Sequence, residues 1–544
     1  MCGRRLEPSR AGITPRTGTG EHTKSVPLVQ VTGATAESRS HTLASALERP
    51  ARWLVGATGG CTYVLGRWVF LRALGLVYLI AFWSLGIQIE GLLGSRGILP
   101  ATDFLAAVGR YDPGLAHWHL VPSLLWLGAS DAALRGVCVL GAIAAVLLVL
   151  DVAPRSMLIL LWLLYLSLVA VGQDFLSFQW DALLLEAGLL AVLLAPSHWW
   201  LRPRGPSPVS PLALLLLWWL LFRLTFASGV VKLTWGDPTW RNLTALDFHY
   251  WTQPLPTWTA WYMSQLPEWF DRLSVVVLFV LELGAPLLIF GTRFTRLLAC
   301  AGVLLLQGMI GATGNYTFFN LLTVVLALLL LDDATWRRLL PHRLVARLSA
   351  SAPAGRPVGS LLALALGVVL LLGSGAKFLE TLAPRRSPAC FDRVFAWVDP
   401  LRSINGYGLF RVMTTARREI VVEGSEDGRE WRAYAFRYKP GEVGRRPRFV
   451  EPHQPRLDWQ MWFAALGRYE DTRWFEPFLT RLLQGSPAVL GLLANNPFPE
   501  HPPRYVRALE YEYRFTTPAE RAARGAWWRR RLLGAYSPVL SLGR

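Results

Sequence analysis

The stretch Pro211–Val231, PLALLLLWWLLFRLTFASGVV, holds a single charge, Arg223, in 21 residues. A helix of about 20 apolar residues spans a hydrocarbon layer of about 30 Å, so this stretch reads as a membrane crossing. Comparable runs lie at 68–89, 133–152, 156–172, 181–196, 274–290, 297–312, 317–331 and 360–379, up to nine apolar segments in all. In a chain that is 53% hydrophobic, they predict a multi-pass α-helical membrane protein.

The net charge of +18 sits mostly in connections and in the C-terminal third. With the N-terminus on the cytoplasmic side, Arg155, Arg202, Arg204, Arg293, Arg296, Arg337, Arg338, Arg343, Arg347 and Arg356 fall in cytoplasmic connections. The longer opposite connections carry only Arg96, Arg110, Lys232, Arg241 and Arg272. This is the positive-inside bias, and an odd number of crossings then puts everything after about residue 380 on the outer or lumenal side. No ordered basic and aromatic platform suggests nucleic acid. Two sequons, at Asn242 and Asn315, fall on the outer side; the second sits too close to the membrane to accept a glycan readily, which leaves Asn242, in a eukaryotic host. Residues 1–66 read as a disordered basic tail, 67–380 as the membrane domain with an outer loop at 232–272, and 381–544 as an extramembrane domain.

Arg72, Asp181, Glu186, Arg223 and Glu282 lie in or beside the apolar runs. An unpaired charge there costs at least about 2.5 kcal/mol, so each should face protein or a wet cavity. A proton relay and internal ion pairs, such as Arg223 with Asp181 or Glu186, both satisfy this, and the pairing is the simpler reading.

Beyond the last run the pattern changes. REIVVEGSEDGREWRAYAFRYKPG alternates apolar and polar residues around a Ser-Glu-Asp-Gly turn, which predicts a β-hairpin. RLDWQMWFAALGRYED places Leu457, Met461, Ala464 and Ala465 on one helical face, and RYVRALEYEYRF can return as a strand. The expectation is an extramembrane α+β, β-rich domain. Its final WWRRRLLGAY suits either an interfacial anchor or packing onto that domain.

Motifs for zinc proteases, nucleotide loops, dinucleotide binding and nucleophile elbows are missing from the sequence. The five cysteines are widely spaced, and His117 and His119 would share a strand face but have no evident third metal ligand, so no metal site is expected. The outer loop is the notable feature: TWRNLTALDFHYWTQPLP opens a region with ten aromatics between 232 and 272. Such density fits an interfacial or partner-binding surface. Asp247 and His249 would share a face on a strand, as a base and its orienter, or cap backbone groups on a turn.

GSRGILP, SFQWDALLLEAGLL, FRLTFASGVVKL, WRNLTALDFHYWTQPLP, GNYTFFNLLT and FRYKPGEVGRRPRFVEPHQPRLDWQMWFAALG together resemble the lipase maturation factor family across roughly residues 68 to 540. The resemblance implies an endoplasmic-reticulum membrane protein that helps secreted lipases or related hydrolases fold or assemble by binding, with no catalysis and no cofactor of its own. It makes Trp240, Asp247, His249, Tyr250, Trp251, Arg456, Asp458, Trp459 and Trp462 candidates for binding the client or shaping the loop. Only four lysines stand against 51 arginines, a bias expected of a GC-rich bacterial genome, for which the membrane would be the plasma membrane. The helical half is also similar in general pattern to vitamin K-dependent carboxylases. The alternative is therefore a membrane-embedded enzyme using Asp247, His249 and the intramembrane carboxylates with a lipid-soluble cofactor.

Overall fold

The computed structural model describes residues 51, 62–112, 114, 116–199, 208–349, 361–382 and 395–542, so the expected tail lies almost wholly outside it. Among the described residues, seven helices have the length and apolarity of a membrane span: α1 (Val64–Gly86), α2 (Asp131–Val149), α3 (Pro154–Val171), α5 (Pro211–Thr234), α6 (Glu268–Phe290), α7 (Arg293–Thr313) and α9 (Leu361–Leu382). The chain is a multi-pass α-helical membrane protein. Two of the nine anticipated crossings are shorter. They are α4 (Gln179–Leu194), with 16 residues, and α8 (Phe318–Leu328), with 11 residues and a 115° bend into Asp333–Leu339. At 1.5 Å per residue these reach only about 24 and 16 Å. Both are largely enclosed by other protein, so neither has to match the bilayer by itself.

Hydrogen bonds sort the helix ends into two groups. Val64 and Leu65 donate backbone N–H groups to Asp333, Arg72 pairs with Asp151 at 2.6 Å, Arg155 donates to the Ala195 carbonyl, and Arg293 pairs with Asp332. The connections that carry Arg155, Arg293, Arg337 and Arg338 therefore gather at one end. At the other end, Gln88, Thr252, Gln253 and Asn315 bond residues of the C-terminal domain. Both α4 and α8 run between the two groups.

Lipid tails are as apolar as leucine, so helix association in a bilayer depends on close packing more than on hydrophobic transfer. Gly188 of α4 admits the Tyr78 hydroxyl, and a Cβ there would lie 1.9 Å from it. Gly141 of α2 admits the Phe82 ring, which would come within 2.4 Å. Tyr78 donates from that hydroxyl to the Leu184 carbonyl, tying α1 to α4.

The C-terminal domain carries one antiparallel sheet in the order β2-β1-β3-β4. The hairpin forms as read: β1 (Arg417–Ser425) pairs with the short β2 (Arg432–Ala433), and β3 (Tyr505–Phe515) returns beside β1. Of the two readings of WWRRRLLGAY, the structure shows packing onto the domain: Trp528–Ala535 forms β4 against β3. Trp528 is buried among Tyr513, Phe515 and Trp527, so the cluster gathers apolar area that an anchor would have given to lipid. Helix α10 (Arg456–Ala464) buries Leu457, Met461 and Ala464 as its periodicity predicts. One stretch expected outside the membrane lies between the helices instead. Ser403 accepts a hydrogen bond from the Trp162 indole of α3, and Ile404 packs on Gly373 of α9. Non-helical backbone is tolerated at this depth because protein, not lipid, surrounds it.

Candidate functional site

Three buried polar assemblies join the bundle to the C-terminal domain. In the first, Arg456, at the start of α10, reaches Asp181 of α4 through two hydrogen bonds of 2.8 and 2.9 Å. The Tyr165 hydroxyl donates to the same carboxylate at 2.5 Å, and the Phe175 carbonyl accepts from Arg456 at 2.6 Å. Gln88 extends the seam, donating to the Ser84 and Gln454 carbonyls and accepting the Arg456 backbone N–H. A charge pair without water needs its remaining donors satisfied, and most of this one's are.

The second assembly selects one of the two expected pairings. Arg223 pairs with Glu186 alone, while Asp181 belongs to Arg456. The inserted stretch completes it: Asn405 donates to Glu186 from its backbone and side chain, Tyr407 donates at 2.7 Å, and the Asn405 carbonyl accepts from Arg223. Glu282, on a π-helical turn of α6, pairs with Lys232 of α5 at 2.8 Å, and Lys232 also lies 5.3 Å from the Trp240 ring. Arg72 pairs with Asp151 and stacks on Trp68. All five anticipated intramembrane charges are therefore partnered.

The third assembly fixes the outer loop. Arg417, fully buried at the start of β1, donates to the carbonyls of Trp251, Gln253 and Pro254. Glu419 neutralises it at 2.5 Å and Lys439 adds a second cation at 2.7 Å. Asn315 donates to the Leu255 and Arg448 carbonyls and accepts from Val450 and Glu451 N–H groups. At 2% exposure it cannot carry a glycan in the folded protein, so burial, and not only nearness to the membrane, disqualifies this sequon. Asn242 is exposed.

Asp247 and His249 do not form a strand pair. They lie on the helix Ala245–Thr252, where residues two apart point to nearly opposite sides. His249 bonds the Tyr316 hydroxyl through Nε2 at 3.1 Å, and burial followed by the nearby Lys232 charge lowers its pKa to about 4. Burial first and Glu268 second raise the pKa of Asp247. Among the other candidates, Trp240 is buried and donates to the Phe410 carbonyl, while Tyr250 sits in the cluster with Trp528. Trp251 donates to the Asp247 carbonyl, and Trp462 to that of Thr252. Asp458 accepts from the Tyr438 and Lys439 N–H groups, and Trp459 packs on Trp180 with centroids 4.7 Å apart. The contacts of Trp240, Tyr250, Trp251 and Trp462 involve the outer loop, whereas those of Asp458 lie within the C-terminal domain and that of Trp459 is with α4. His117 and His119 lie on a short helix, not a strand, and among the described residues no three His, Cys, Asp or Glu side chains gather as metal ligands.

The accessible aromatic surface lies farther along the loop. Trp269 is 65% and Tyr262 49% exposed. Trp261, Tyr262, Arg521 and Trp527 pack together and line one wall of a cleft of about 590 Å³. The Arg521 guanidinium lies 3.7 Å from the Trp527 ring centroid and 4.7 Å from that of Trp261, and it donates to the Tyr262 hydroxyl. Sequence reasoning flagged Trp261 and Tyr262 by aromatic density, but it missed Arg521 because this arginine comes together with them only through the fold. Arg417, Lys439, Asn405 and Tyr407 were missed for the same reason, although the rarity of lysine was a signal for Lys439.

Residues 65–338 match the lipase maturation factor transmembrane domain and residues 403–538 its C-terminal domain. Lipase maturation factor 2 of Gallus gallus is 39% identical over 88% of this chain and 81% of its own length. For lipase maturation factor 2 of Homo sapiens the values are 38%, 88% and 83%, and for lipase maturation factor 1 of Bos taurus 38%, 91% and 91%. No solved structure matches the chain. The chain belongs to the lipase maturation factor family.

Proposed function

We propose that this protein is a membrane-tethered maturation factor that assists the folding or assembly of a secreted lipase or related hydrolase by binding it, without covalent chemistry of its own. Its C-terminal domain faces the lumen of the endoplasmic reticulum, or the outer side of the plasma membrane in a bacterial host. The observation that carries the reading is the union of bundle and domain through Arg456–Asp181, Glu186–Asn405 and Arg417 with the loop carbonyls. Such a seam makes a rigid platform, and the exposed Tyr262 beside half-buried Arg521, backed by the buried Trp261 and Trp527, forms an aromatic and cationic cleft on it. Aromatic and arginine side chains dominate energetic hot spots, because they offer large contact area together with directional polar groups. The names of the relatives and the lack of a facing Asp247–His249 pair favour this reading.

Co-purification from the native membrane tests it. Native protein should retain an incompletely folded secreted hydrolase, and the Arg521→Glu, Tyr262→Ala variant should lose most of it at equal abundance. Equal retention by the variant would overturn the assignment of the cleft. Absence of any secreted hydrolase from both preparations would overturn the function.

A further inference from the structure

A groove of about 510 Å³ runs along the lipid-facing side of α1 and α2. Its floor is made by Leu79, Phe82, Ala142 and Leu147, and its rims by Trp83 and Ile143, both exposed. Arg135 stands at the end nearer the C-terminal domain, paired with Glu90. From Arg135 to Leu147 the helix rises about 18 Å, slightly more than the roughly 15 Å hydrocarbon depth of one leaflet. Arg135, one turn into α2, stands where a basic side chain can reach the headgroups. The groove thus has an apolar trough one leaflet deep and, at its mouth, one cation beside one anion.

We propose that this groove binds a single zwitterionic phospholipid, with its phosphate on Arg135, its headgroup amine on Glu90 and one acyl chain in the trough. A chain that moves from bulk lipid into the groove only exchanges one apolar surrounding for another, so the trough alone discriminates little. The ion pair supplies selectivity. Arg135 can keep donors for a phosphate while bonded to Glu90, and Glu90 sets a countercharge where a headgroup amine would lie; a purely anionic headgroup would meet that carboxylate. The site also touches the seam. Glu90 belongs to the short helix Ile89–Leu93, whose Gly91 packs against the Ala488 carbonyl and Leu492 of the C-terminal domain. Close by, Arg481 and Ser486 donate to the carbonyls of Gly97 and Arg96. A lipid held at Glu90 therefore braces the helix on which the domain is seated.

Native mass spectrometry of the full chain, released from nanodiscs containing equal phosphatidylcholine and phosphatidylglycerol, tests the site. The native protein should retain one phosphatidylcholine in preference to phosphatidylglycerol. Arg135→Gln, which removes the phosphate partner at an exposed position, should lower the retained fraction at least fivefold. Ala142→Phe, which fills the trough while leaving the ion pair, should do the same. Leu305→Phe, on the exposed face of α7, should leave it unchanged. Equal retention in all four proteins, or a preference for phosphatidylglycerol, would overturn the proposal.

Discussion

Arg456 and Asp181 stand 275 residues apart in the chain, yet they share two hydrogen bonds in a site with essentially no exposure. Removing one partner leaves a buried charge, so Arg456→Met should cost about 3–5 kcal/mol. The Arg456→Met, Asp181→Leu double variant should recover much of that loss, as thermal unfolding in detergent would record. His249 carries a second prediction. Burial lowers its pKa from about 6.5 to about 4, so the folded state binds fewer protons than the unfolded state between those values. Its contribution is complete above pH 6.5 and is lost as pH falls toward 4, at up to about 1.4 kcal/mol per pH unit. Burial lowers His453 in the same way, whereas burial raises Glu451 to about 7. The comparison must therefore be native protein against His249→Gln, and the difference between their stability–pH curves should be flat above pH 6.5 and fall as pH drops from 6.5 toward 4. The sequence made it plain that the intramembrane charges need partners, because an isolated charge is costly there. It could not name Arg456 or Asn405, since no local pattern links residues separated by hundreds of positions.

Elements were legible where one physical requirement dominated. The long spans follow from bilayer thickness, and β1 and β3 from two-residue alternation with an apolar face on the core. The helix Ala245–Thr252 escaped because eight mixed aromatic and polar residues carry no clear period, and α4 and α8 are set by enclosure instead of hydrocarbon depth. The arginine run of β4 resembled an anchor until its pairing with β3 gave it a partner. The short helix Ile89–Leu93 supplies a test at this scale. A Cβ at Gly91 would lie 2.5 Å from the Ala488 backbone oxygen. Alanine improves helix propensity by about 1 kcal/mol, but a clash with backbone in a packed seam costs about 1–3 kcal/mol. Gly91→Ala should therefore loosen the domain and speed limited proteolysis between residues 484 and 502.

For the whole molecule, arginine placement and the two sets of helix ends describe one polarity, with basic connections opposite the C-terminal domain. In sealed vesicles, cysteines introduced at Arg338 and Tyr262 should label from opposite sides. The cleft was the least legible feature, because it combines an outer loop with a segment more than 250 residues later, and only the seam makes them neighbours. The central claim is that this rigid platform assists a hydrolase by binding through the cleft. The most direct measurement is the specific activity of secreted lipase per molecule synthesised, in cells lacking the native gene and supplied with either native protein or the Arg521→Glu, Tyr262→Ala variant. The account predicts restored activity with the native protein and little with an equally abundant, correctly inserted variant, while lipase synthesis stays constant. Full restoration by the variant would contradict it.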